Sequence, residues 1–188
     1  MNGGIGDLSE TAVGGNHDGP RLDEPQFLLD PQRVVTQFAA ALRSLHSGAI
    51  DESWPVLAPA EQLSTALTRL RSGVPLTLPG PYAGQSPERI ADMLIDLHDG
   101  LRSPDGDVVP TIGHARLANV VTDRGAVIGW SDTSALATAD RYRDLGLAAA
   151  DVASVIGPGA VLALAEAYGI ERPDPRRVEF YALCGLLA

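Results

Sequence analysis

Residues 108–132 read VVPTIGHARLANVVTDRGAVIGWSD, and this stretch decides the fold. It predicts a short strand, a tight loop and a β-hairpin closed by Asp123-Arg124-Gly125. The runs Ala118-Asn119-Val120-Val121 and Ala126-Val127-Ile128-Gly129-Trp130 have the length and β-branching of strands. Two polar residues interrupt these apolar surroundings: Asn119 ends the loop, and Asp132 follows the second strand. A hairpin sets its strand ends side by side, so the two can face each other. An amide oxygen and a carboxylate converging there suit Mg²⁺, a hard cation that prefers oxygen ligands.

The same stretch resembles the catalytic loop and metal-binding hairpin of the aminoglycoside 3′-phosphotransferase family, which shares the protein-kinase-like fold. That family's loop reads His-Gly-Asp, four residues, Asn, with a second Asp downstream. Here the order is Ile112-Gly113-His114, then Ala115, Arg116, Leu117, Ala118 and Asn119, with Asp132 thirteen residues further on, the family's own interval. Ile112 stands where the family has His, and His114 where it has the catalytic Asp. The resemblance continues through Ala139-Asp140-Arg141-Tyr142-Arg143-Asp144-Leu145, Tyr168-Gly169-Ile170, Pro173-Asp174, Arg177-Val178 and Phe180-Tyr181. Upstream it includes Ala41-Leu42-Arg43-Ser44-Leu45-His46. It implies an α+β, mostly α fold: the C-lobe of the phosphotransferase and protein-kinase-like architecture around a small central β-hairpin. It also implies ATP and Mg²⁺ as cofactors, His114 at the catalytic position, and Asn119 and Asp132 as metal ligands. An Asp of the Asp140/Asp144 pair would brace the loop backbone.

Composition narrows the alternatives. The 188 residues are 45 % hydrophobic and can build one good core. No apolar run approaches the ~20 residues of a membrane helix, and no secretory signal is visible at the N-terminus, so membrane attachment is not expected and a cytoplasmic location is. The formal net charge of −10 argues against nucleic acid and is compatible with a cationic small molecule or a basic protein partner. The lone cysteine, Cys184, excludes an intrachain disulfide and reads as a small buried hydrophobe. There is no lysine; all 14 basic residues are arginines. Kinase-like sites use a lysine to reach the nucleotide phosphates, and the arginine fork does not replace a point ammonium.

Along the chain, residues 1–24 are rich in Gly, Asp, Asn and Ser, and the expected division is a flexible tail over 1–29 and a phosphotransferase-like C-lobe over 30–188. Gly3-Gly4-Ile5-Gly6 lacks the strand and helix that a phosphate loop needs. Asp30-Pro31 opens a helix whose Val34, Val35, Phe38, Ala41, Leu42 and Leu45 share one face and whose end carries His46 as a polar anchor. Residues 48–59 read as loop. A second helix spans about 59–72, stopped by Gly73, and residues 74–85 are irregular. Ser86-Pro87 opens a third helix carrying Ile90, Met93, Leu94 and Leu97, with His98 off the apolar face and solvated. Further helices are expected over 140–155, over 160–168 and from Asp174-Pro175 to the end.

The departures from the family pattern shape the functional expectation. The stretch before the first C-lobe helix shows no strand pattern, so the N-terminal β-lobe is read as absent. His114 replaces a carboxylate, and the last helix ends Gly185-Leu186-Leu187-Ala188 where the family has acidic residues. The expected protein is a truncated, catalytically impaired phosphotransferase-like pseudoenzyme, serving as a binding or regulatory module or a remnant. A protein partner or self-association would cover the surface left by the missing lobe. The alternative is an active ATP-dependent small-molecule O-phosphotransferase that takes its N-lobe from another chain, with His114 as base.

Overall fold

Helix starts are the best-specified features. Pro occupies the first helical position after Asp30, Ser86 and Asp174, and each of these side chains accepts a hydrogen bond from a backbone N–H of the first turn. The computed structural model describes residues 17–101 and 107–188. Over them the order is α1 (Pro25–Leu28), α2 (Pro31–His46), β1 (Val56–Leu57), α3 (Pro59–Arg71), α4 (Pro87–Asp99), β2 (Val108–Thr111), β3 (Val120–Asp123), β4 (Ala126–Trp130), β5 (Ala137–Asp140), α5 (Tyr142–Val155), α6 (Ala160–Tyr168) and α7 (Pro175–Leu187). The predicted apolar face of α2 is buried at all six positions. Gly3-Gly4-Ile5-Gly6 lies outside the described residues.

Two small sheets flank the helices. β3 and β4 form the predicted antiparallel hairpin, with Val120 opposite Trp130. Its turn sets Arg124 at φ 49° and Gly125 at φ 79°. Two consecutive positive φ values are the mirror-image turn that matches strand twist. The Gly125 carbonyl accepts from the Arg33 guanidinium and the Gln37 amide, so the hairpin tip is tied to α2. The second sheet has the order β1-β5-β2, with β1 parallel and β2 antiparallel to β5.

Four expectations need correction. Asp140, expected to open a helix, ends a strand over 137–140 and the helix begins at Tyr142; Val56–Leu57 is a strand inside the expected loop. Every residue of β5 is buried, so no alternation marks it as a strand. Part of the expected tail is anchored, over 17–22: Leu22 is fully buried and its N–H donates to the Val120 carbonyl, while Leu29 is exposed. The Thr122 N–H donates to the Pro20 carbonyl and Arg21 bridges Val121, so this segment extends the hairpin by a third edge. Backbone pairing takes Gly and Pro at an edge, which hides it from a composition reading. His98 is not solvated but half-buried, its ring 5.9 Å from that of Phe180.

The core is built by α5 packed on α7 and on α6, with α2 packed on α6, and is filled by Phe38, Leu42, Leu147, Phe180, Tyr181 and Leu183. Gly146 lets α5 and α7 approach closely, since a Cβ there would lie 2.7 Å from the Ala182 nitrogen.

Candidate functional site

The loop between β2 and β3 contains few bonds of its own and is held from below by α5. Asp144, in the first turn of α5, is fully buried. Its Oδ2 accepts the Ile112 N–H and its Oδ1 the Gly113 N–H, both at 2.8 Å. Two turns on, Asp151 accepts the Leu117 N–H at 2.8 Å. Burial pushes the Asp151 carboxyl up, opposed by that N–H and by Arg116. Acids seven apart lie on one helix face, so a single face of α5 fixes both ends of the loop. The brace expected of the Asp140/Asp144 pair falls to Asp144. Asp140 ends β5 and accepts from the buried Arg177 guanidinium at 2.6 Å.

Behind Asp144 stands His46, expected as a polar anchor. Its Nε2 lies 3.1 Å from the Asp144 carboxylate and its Nδ1 2.7 Å from the Tyr168 hydroxyl. A neutral ring donating from Nε2 to the carboxylate leaves Nδ1 to accept the tyrosine proton, which satisfies all three groups. Helices α2, α5 and α6 thus converge on the loop through one buried polar chain.

Ile112, at the family's His position, is fully buried and packs in the core. His114 is half-buried, and its carbonyl accepts from the Arg116 N–H and from the Asn119 side-chain amide, both at 2.8 Å. Its imidazole makes no hydrogen bond among the described residues. Asn119 is oriented by its bond to His114: the amide nitrogen is committed, and Oδ1 is turned toward the Ser131 hydroxyl 3.4 Å away. The Ser131 N–H donates to the Asn119 carbonyl, so the strand ends stand side by side as the hairpin predicts. Asp132 accepts the Ser134 N–H at 2.8 Å. Hydrogen bonds from Ser134 hold its carboxyl below the usual range, and His114 adds a smaller attraction. Asn119 and Asp132 thus present a carbonyl and an ionised carboxylate beside the loop. Among the described residues no group of three or more His, Cys, Asp or Glu side chains is arranged for a metal. The donor set fits Mg²⁺ only as two oxygens completed by water or phosphate, and the His114 nitrogen adds a ligand that Mg²⁺ disfavours.

On the other side of Gly113 lies a cleft of about 150 Å³ between the loop, α3 and α7, lined by Glu61, Gln62, Gly113, Arg143, Tyr181 and Gly185 among others. Neither Gln62 nor Arg143 is marked by the sequence, because three elements distant along the chain build this cleft. The i, i+7 spacing of Asp144 and Asp151 was the one available signal for the second loop anchor. A larger apolar groove of about 600 Å³ between the 79–82 turn, α5 and α7 includes no residue of the loop or hairpin.

A helical lobe carrying a braced loop, an Asn at the loop's end and an Asp after the following hairpin matches the kinase-like C-lobe that the sequence resemblance implies. The comparisons with known proteins place it further. The chain is 33 % identical over 81 residues to an aminoglycoside 3′-phosphotransferase of Escherichia coli, a match covering 43 % of this chain and 29 % of that protein. It superposes on aminoglycoside phosphotransferase APH(3″)-Id of Streptomyces rimosus, solved with ADP and streptomycin, with a TM-score of 0.73 and 25 % identity. That match covers 90 % of this chain and 67 % of the other. An aminoglycoside-3′-phosphotransferase of type VIII gives a TM-score of 0.71 at 24 % identity, over 91 % of this chain and 66 % of that one. No protein-family model matches the sequence. The chain has the C-lobe fold of the aminoglycoside-phosphotransferase-like kinase family, and it spans about two thirds of the solved relatives' length and, over the matched part, under a third of the curated one.

Proposed function

We propose that this chain is a phosphotransferase-like C-lobe that binds ligand at its loop and hairpin but does not transfer phosphate by itself. The carrying observation is His114. It occupies the loop position where a kinase-type site needs a carboxylate to orient and deprotonate the acceptor hydroxyl. Its ring has no hydrogen-bond partner among the described residues to fix it as a base, whereas the loop backbone beneath it is fully braced. A neutral imidazole can accept a proton but brings no negative charge, and a nearby dication disfavours its protonation. In this reading the protein works as a binding or regulatory module. A protein partner or a second copy would cover its N-terminal face, and it would reside in the cytoplasm.

The intact scaffold favours one second reading, an ATP-dependent small-molecule O-phosphotransferase. Asn119 and Asp132 would hold Mg²⁺ against the nucleotide phosphates, His114 would take the hydroxyl proton, and a phosphate-binding lobe would come from another chain.

Thermal unfolding with Mg²⁺ and ATP separates the two. A ligand at 100 times its dissociation constant stabilises by ~2.7 kcal/mol. A melting shift that requires both Mg²⁺ and ATP and vanishes in Asp132→Ala, together with ATP turnover, establishes the enzyme. A shift without turnover supports the binding module. No shift at millimolar ATP removes nucleotide binding at this hairpin from both readings.

A further inference from the structure

We propose that the cleft beneath Gly113 is a site for a small oxyanion-bearing ligand, carboxylate or phosphate, held by Arg143 and Gln62. The proposal names the ligand class for the loop cleft and so rests on the reading of this lobe as a ligand-binding one.

Arg143 sits one residue before the loop brace, and its guanidinium fills the space beside Gly113, where an added Cβ would lie 2.7 Å from Cζ. Only Nη1 is engaged, donating to the Thr111 hydroxyl at 2.8 Å and to the Ala135 carbonyl at 3.1 Å. Among the described residues no carboxylate oxygen lies within 4 Å of this guanidinium, although most of the other arginines that line the interior have one: Arg177 is paired with Asp107 and Asp140, and Arg141 with Asp107. The neighbouring acid, Asp144, attracts the guanidinium only from a distance and turns its oxygens to the loop N–H groups and His46. Burial pulls the Arg143 guanidinium below its ordinary range without neutralising it. A half-buried guanidinium with no carboxylate in contact keeps donors available for an oxyanion.

The second observation lies across the cleft. The Gln62 side-chain nitrogen is buried and has no hydrogen-bond partner. Buried donors are nearly always satisfied, so an orphan lining the same cavity as a guanidinium that no carboxylate touches marks an acceptor that belongs there. Glu61, the acidic side chain on the cleft wall, already accepts the Ala58 N–H at the start of α3, and Ala188 with its carboxylate also lines the cleft. Two free donors, one of them cationic, select an anionic, acceptor-rich group. Fork geometry favours a carboxylate or phosphate edge. Such a site is opposite in sign to one built for a polycation.

The test is a ¹H–¹⁵N NMR titration of the full 188-residue chain in EDTA with sodium phosphate and, separately, sodium succinate. The expected result is saturable movement of the Gly113 amide, the Gln62 side-chain NH₂ and the Arg143 Nε–H. Saturation by both anions shows shared oxyanion chemistry, and saturation by one identifies its source. Affinity should fall roughly fivefold in Gln62→Met, the loss of one neutral hydrogen bond, and be abolished in Arg143→Gln. If Arg143→Gln does not fold, Gln62→Met still decides. No movement at these groups, movement unchanged by Gln62→Met, or movement only with cationic streptomycin overturns the proposal. Because EDTA excludes Mg²⁺, failure here is distinct from failure of nucleotide binding at Asn119 and Asp132.

Discussion

Replacing Asp144 by Asn changes one atom at a position without exposure, where three donors converge. The amide nitrogen would face a backbone N–H, and the remaining oxygen cannot serve the loop and His46 together. Unsatisfied buried donors and loss of the carboxylate's charge-assisted hydrogen bonds predict a destabilisation of about 3 kcal/mol or more. Urea unfolding measures it, and hydrogen exchange should quicken first at Ile112 and Gly113. A change under about 0.5 kcal/mol would sink the brace. Titration offers a separate check. Burial pushes both the Cys184 thiol and the Tyr82 phenol up to about 12, from 9.0 and 10.0 when unfolded. Both folded values are raised, so the fold favours the neutral forms. Their stabilisation is complete below pH 9 and is lost as pH rises from 9 through 12. Melting temperatures recorded between pH 8 and 11 should fall monotonically over that interval, and Cys184→Ala should flatten the first part of the fall. Asn119 and Asp132 were legible because residue type and interval suffice to place them. Arg143 and Gln62 were not, because their significance lies in partners they lack, and only three-dimensional packing reveals that.

Helix ends, more than helix interiors, made the elements readable. Asp30, Ser86 and Asp174 announce α2, α4 and α7 through cap chemistry that depends on a few adjacent residues. β5 and the 17–22 edge escaped because their burial comes from neighbours remote in sequence and imposes no period-2 pattern. Gly146 presents the same problem in reverse: glycine inside α5 looks like a weak helix position, yet its role is contact. An added Cβ would lie 2.7 Å from the Ala182 nitrogen, 2.8 Å from the Val178 oxygen and 2.9 Å from the Tyr181 Cβ. The first two are backbone atoms and cannot yield without moving α7. Gly146→Ala gains ~0.5–1 kcal/mol of helix propensity and incurs ~1–3 kcal/mol of overpacking. The expected net effect is destabilisation of about 1–2 kcal/mol, read from denaturant midpoints. Gly185→Ala is the control. Its Cβ would meet only Leu147 side-chain atoms at 3.2–3.3 Å, which can shift, so the change should stay within ~0.5 kcal/mol of neutral. Equal effects at the two sites would mean that close helix approach is not what Gly146 provides.

At the scale of the molecule, phosphoryl transfer is almost entirely positioning and charge stabilisation, and its parts act as a unit. The loop backbone is held by Asp144 and Asp151, which makes His114→Asp an informative substitution. The half-buried site tolerates a smaller side chain. The new carboxylate would stand near Asp132, whose carboxyl would then lose the attraction His114 supplies. Two adjacent carboxylates strengthen a divalent site, so Mg²⁺ affinity should rise roughly tenfold or more, readable by calorimetry. Turnover should not follow. The chain contains no lysine, the side chain that kinase-like sites use to hold the nucleotide phosphates. A base without phosphate positioning supplies at most one factor of a product. ATP hydrolysis or transfer by the 188-residue His114→Asp chain should therefore remain at background while its Mg²⁺ affinity climbs. Turnover at tenfold over background would show that the loop residue alone was limiting and would convert the binding module into an enzyme one substitution from activity. Unchanged Mg²⁺ affinity would show instead that the position occupied by His114 does not face the hairpin's oxygens, and the metal assignment of Asn119 and Asp132 would fall with it.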